Sequence, residues 1–157
     1  MKSATVHEIK DELVTLKPNQ LVAICLRLAK FKKENKELLT YLLFEAGNES
    51  GYLQSVKMEV DASFAEINRT NLYFAKKTIR KILRQVNKYI RYTGSRQAEV
   101  ELILHFCRAL HESGIPYQDS TALNNLYQAQ LKKISKTLST LHEDIQYDYS
   151  KELESLI

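Results

Sequence analysis

The chain has 157 residues, 44% hydrophobic and 27% charged, with only four Gly and two Pro and a formal net charge of +4. That length can bury a core without metals or cross-links, and so few chain-breaking residues point to long helices joined by short turns. The longest apolar run, Leu21 to Leu26, is far too short to cross a bilayer, and the opening MKSATVHEIKDEL lacks the apolar core of a signal peptide, so a cytoplasmic protein with no transmembrane segment is expected.

Apolar residues seldom alternate with period two, and Leu, Lys, Glu, Gln and Ala are abundant, so the fold class is read as all-α: about seven helices in one domain over residues 1–157. The first helix is predicted at about Thr5 to Leu16. Pro18 then suits the first turn of a helix at about Asn19 to Lys32, which puts Leu21, Ile24, Cys25 and Leu28 on one face. Asn35 is expected to cap the next helix, with Leu38, Leu39, Leu42 and Leu43 inward and an end near Gly47. A helix follows at about Gly51 to Ile67, and Thr70 or Asn71 can cap a long basic helix at about Leu72 to Tyr92. After "TGS", Ser95 can cap a helix reaching His111, where Gly114 and Pro116 give stop signals. A final helix should run from Asp119 or Ser120 toward the C-terminus.

Short connections make sequential helices antiparallel neighbours, which leaves a compact bundle or a short stack of hairpins. The stretch "LVAICLRLAKFKKENKELLTYLLFE" resembles a hairpin of HEAT or armadillo type, with apolar faces on both helices and a polar elbow between them. The resemblance implies an α-solenoid. A shift of 62 positions superposes Leu21, Ile24, Leu28, Leu42 and Phe44 on Leu83, Val86, Ile90, Leu104 and Phe106, as a duplicated hairpin would.

Charge is concentrated. Between Ile67 and Ala98 there are nine Lys or Arg and no acid, so this window carries +9 and the rest of the chain, from +4 − 9, carries −5. Lys77, Lys81, Arg84, Lys88 and Arg91 recur at spacings of four and three with Arg80 beside them, opposite Ile79, Ile82, Leu83, Val86 and Ile90. Such a face can hold a protein partner or track the phosphates of a nucleic acid, with Tyr73 and Tyr92 available for stacking. It can equally be a solvated face, or one covered by the acidic stretch Glu45 to Glu66 or the acidic C-terminal stretch from Glu143.

Cys107 and His111 are one turn apart in "HFCRALHE", the one crowding of metal-type ligands. Cys107 shares the apolar face with Val100, Ile103 and Leu110, whereas Glu101 with His105, and Arg108 with Glu112, form i, i+4 pairs on a wet face. No metal, cofactor or catalytic residue is therefore expected, and an enzyme or metal protein at Cys107 and His111 is the third reading. Near the C-terminus Tyr127, Leu131, Ile134, Leu138, Leu141 and Ile145 follow a heptad. The seam implies a helix laid along its own domain or a homodimer through Leu131, Ile134, Leu138, Leu141 and Ile145. The function expected is a non-enzymatic protein-interaction module using the basic helix face, with sequence-nonspecific nucleic-acid binding as the alternative.

Overall fold

The computed structural model describes residues 1–157 and is all-helical, without strands. It divides into two compact units, residues 1–44 and 45–157, where the sequence reading has one domain. Burial explains the division. Of all the buried hydrophobic residues only Tyr41 precedes residue 45, whereas thirteen of the eighteen large apolar residues left exposed lie in residues 1–44.

The first unit holds α1 (Val6–Leu13), α2 (Pro18–Phe31) and α3 (Lys33–Thr40). Helix α1 starts with a capping box: Thr5 Oγ1 accepts from the Glu8 N–H, and the Glu8 carboxylate accepts from the Thr5 N–H at 2.7 Å. The Thr5 N–H and the Thr5 hydroxyl, both donating to the Glu8 carboxylate, hold that carboxyl below its ordinary range. Pro18 opens α2 as expected, because a first-turn residue has no intrahelical use for its N–H. A single extended residue, Lys32, turns the chain into α3. Asn35 does not cap α3; it lies inside the helix, and its Nδ2 donates to the Leu28 carbonyl at 2.9 Å. That carbonyl is among the last four of α2, which have no partner within their own helix, so Asn35 ties the two helices together at their turn. The run that begins with α3 ends near Gly47 as expected, where Asn48 leaves helical conformation at φ −136° and ψ 68°. A π turn, Tyr41–Glu45, and a 3-10 turn, Ala46–Asn48, follow α3 without a gap.

The second unit is a bundle of α4 (Glu49–Ala65), α5 (Leu72–Thr93), α6 (Arg96–Glu112), α7 (Thr121–Leu138) and α8 (Glu143–Glu154). Asn48, Asn71 and Ser95 cap α4, α5 and α6 through their side-chain oxygens. Gly94 closes α5 at φ 63°, a left-handed conformation that a β-carbon would strain.

Helix α6 is the hub, packed against α4, α5, α7 and α8. Its apolar residues surround it: Leu102, Leu104 and Phe106 are as buried as Val100, Ile103, Cys107 and Leu110. A helix that is apolar on most of its circumference belongs in a core. The polar residues of α6 reach outward across helices, and the expected pairs within the helix do not form. Glu101 takes Lys57 of α4 at 2.6 Å and the Tyr149 hydroxyl of α8 at 2.9 Å. His105 meets Asp61 of α4 at 2.7 Å, and Arg108 pairs with Glu152 of α8. Neighbouring helices offer carboxylates and cations at closer range than the next turn of α6 does.

The expected single C-terminal helix is two. Ser139 Oγ and Thr140 Oγ1 donate to the carbonyls of Lys136 and Thr137, at 2.9 and 2.7 Å, competing with helical bonds in the last turn of α7. His142 then caps α8 through Nδ1. The chain turns back, burying Leu153 and Leu156, and Tyr127 donates its hydroxyl to the Leu156 carbonyl at 2.9 Å. Leu131, Ile134 and Leu138 are buried in this unit's own core, while Leu141 and Ile145 lie beyond the break and are half-buried.

Candidate functional site: a cationic groove between α5 and α7

Helix α5 is strongly amphipathic. Ala75, Ile79, Ile82, Leu83, Val86 and Ile90 are buried, and the cations turn outward. Lys77, Arg80, Lys81, Arg84 and Arg91 are exposed and Lys88 is half-buried. The acids nearest this face divide: Glu59 lies along the α4 side of α5, and Asp61 and Glu152 pair with residues of α6. Glu59 accepts from Gln85 at 3.1 Å and from the Tyr89 hydroxyl at 2.9 Å, Asp61 holds His105, and Glu152 holds Arg108. Lys77, Arg80, Arg84 and Arg91 make no ion pair.

The six cations do not act as one stripe. Lys77, Arg80 and Arg84 rim a hollow of about 450 Å³ floored by Leu83 and by Leu126 of α7. Arg84 and Asn87 continue into an adjoining hollow of about 460 Å³ with Ile90, Arg91, Glu99 and Lys133. Shared walls make these one groove, cationic at the rim and apolar along much of its floor. Lys133 closes one end by binding Glu99 at 2.7 Å and Asn87 Oδ1 at 3.1 Å. Lys81 looks the other way, into a hollow between α4 and α5 that also holds Glu59 and Glu66. Lys88 lies over the Tyr89 ring at 5.4 Å. Tyr73 is exposed near the Lys77 end, edge-on to Phe74, whereas Tyr92 is buried and cannot stack on a ligand.

Asn87, Glu99, Leu126 and Lys133 are the groove residues the sequence did not single out. Lys133 reaches Asn87 across 46 positions, and no local spacing encodes that approach.

Cys107 and His111 part company. Cys107 is fully buried, and burial pushes its thiol up to about 12, so it stays a neutral apolar side chain. His111 turns to Tyr117, with Nδ1 3.1 Å from the phenol oxygen, and stacks on Tyr127. Burial, with Tyr117 close by, pushes the Tyr127 phenol well above its ordinary range. No three His, Cys, Asp or Glu side chains come together as a metal-ligand group. With Cys25 exposed and Cys107 buried, a thiol reagent should titrate one cysteine at once and the second only after denaturation. Two fast thiols would mean that α6 is not the core helix. A scan against protein-family models and searches of curated proteins and of solved structures find no match for this chain.

Proposed function

We propose that the protein is a non-enzymatic helical interaction module whose α5–α7 groove takes an acidic, amphipathic segment of a partner protein. One observation carries the reading: Lys77, Arg80, Arg84 and Arg91, free of acidic partners, rim a groove floored by Leu83, Ile90 and Leu126. An acidic helix with one apolar face matches both features, whereas phosphates alone leave the floor unused. From Lys77 to Arg91 the rim is about 21 Å long at 1.5 Å per residue, the reach of roughly four helical turns. The hairpins α2–α3 and α5–α6 are in keeping with a helical-repeat module, the commonest use of which is to present such grooves.

Nucleic-acid binding is the second reading, favoured by the exposed Tyr73 beside the cations. Fluorescence anisotropy separates the two, using a labelled peptide with Glu on one face and Leu on the other, and a labelled single-stranded RNA. Lys77→Glu/Arg80→Glu/Arg84→Glu should weaken peptide binding by at least about tenfold. Leu126→Ser, which adds no charge, should weaken the peptide alone, because only the peptide uses the floor. RNA binding that falls steeply between low and high salt, with no peptide binding, would hand the groove to the second reading. Binding of neither probe would end both.

A further inference from the structure

The first unit carries a surface of a different kind. Helix α2 exposes Ile24, Leu28 and Phe31, at spacings of four and three, as one apolar edge, with Phe31 76% exposed. A hollow of about 220 Å³ between α2 and α3, lined by Leu28, Leu38, Leu39 and Leu42 among others, extends that apolar surface. A unit of 44 residues with one buried hydrophobic side chain has almost no core of its own, so covering this edge would contribute much of its stability.

Charge selects what covers it. From Leu13 to Lys33 the chain has five cations, Lys17, Arg27, Lys30, Lys32 and Lys33, and no acid. Helix α3 adds Glu34, Lys36 and Glu37, the last paired with Lys33 at 3.6 Å, and the hairpin keeps an excess of positive charge. A second copy would bring the same cations against these, which disfavours a homodimer. The placement also differs from that of the α5–α7 groove. At 100° per residue Lys30 falls on the back of α2, with Arg27 off to one side, and Lys17, Lys32 and Lys33 sit at its ends. Val22 and Leu26 are also exposed, on the same far side as Lys30, so the cations at the two ends carry the match. An apolar edge flanked by cations is the pattern of a helix lying in the headgroup plane of a bilayer. Its apolar side chains reach the acyl chains there, and its cations meet anionic lipid.

We infer that the α2–α3 hairpin docks on an anionic lipid bilayer surface through Ile24, Leu28 and Phe31. The chain contains no Trp, so Phe31→Trp gives a single fluorescent reporter at one end of the contact. The full-length reporter is mixed with vesicles of phosphatidylcholine alone or of phosphatidylcholine containing phosphatidylserine. A blue shift with the anionic vesicles and none with the neutral ones is expected. In co-sedimentation, Ile24→Ser/Leu28→Ser should weaken partitioning by at least about tenfold. Lys30→Glu/Lys32→Glu, which leaves the apolar edge intact, should weaken it too. The variant Lys77→Glu/Arg80→Glu/Arg84→Glu should bind vesicles as the wild type does. Loss of vesicle binding in that variant would place the contact on α5 and overturn the inference, as would an unshifted emission of the Phe31→Trp reporter on anionic vesicles. A wild-type dimer in sedimentation velocity that Ile24→Ser/Leu28→Ser dissociates would give the edge to a second copy, with the same result.

Discussion

Leu138→Glu should lower the stability of the protein by about 4 kcal/mol, the scale of a buried apolar side chain replaced by a charge without a partner. Leu138 is 5% exposed at the end of α7 and belongs to the continuous core with Leu131 and Ile134. A heptad in sequence does not say which surface fills its seam, and here the core of the same unit occupies Leu131, Ile134 and Leu138. Urea unfolding of wild type and variant checks the expectation. A loss under about 1 kcal/mol would be the behaviour of a surface position. If it came with a shift from dimer to monomer, it would restore the seam as an interface between chains.

Phe106→Ala should cost a similar amount, about 4 kcal/mol, through lost burial and the cavity left behind. Phe106 is fully buried and meets Phe64 of α4 with ring centroids 5.6 Å apart. The helix carrying it touches every other helix of the second unit, so neighbours cannot close the void without disturbing one another. A drop in Tm of about 15 °C or more is expected for a unit of this size. A shift of only a few degrees would show that α4 can move in to fill the space, and that α6 is less tightly clasped than its burial implies.

The legible parts of this fold are those governed by neighbours in sequence. Asn71, Gly94 and Ser95 punctuate α5 and α6 as their side chains dictate, and the inward face of α5 follows its period. The boundary between α7 and α8 is hidden because Ser139 and Thr140 are tolerated in a helix until their hydroxyls take its last carbonyls. Asn35 reads as a cap because capping is a common use of that residue at a turn, yet it bonds back to Leu28.

Positions related by the shift of 62 teach the same lesson about burial. Leu83, Val86, Ile90, Leu104 and Phe106 are in the core, whereas Ile24, Leu28, Leu42 and Phe44 are exposed. Identical patterning fixes which side of a helix is apolar; what covers it depends on the rest of the chain. For the groove, the clustering of cations is readable from α5 alone. Its apolar floor and its closure by Lys133 require the placement of α7, which no pattern within α5 carries.

Lys77 shares a hollow with Leu126, and further along both helices Asn87 meets Lys133, so α5 and α7 point the same way along the groove. Their two N-termini, each worth about half a positive charge, lie toward the Lys77 and Leu126 end. The carbonyl ends lie toward Arg91 and Lys133, where Glu99 also draws down the potential. The groove is therefore polarised from one mouth to the other, and a bound chain whose negative charge is concentrated at one end would be held in a single direction.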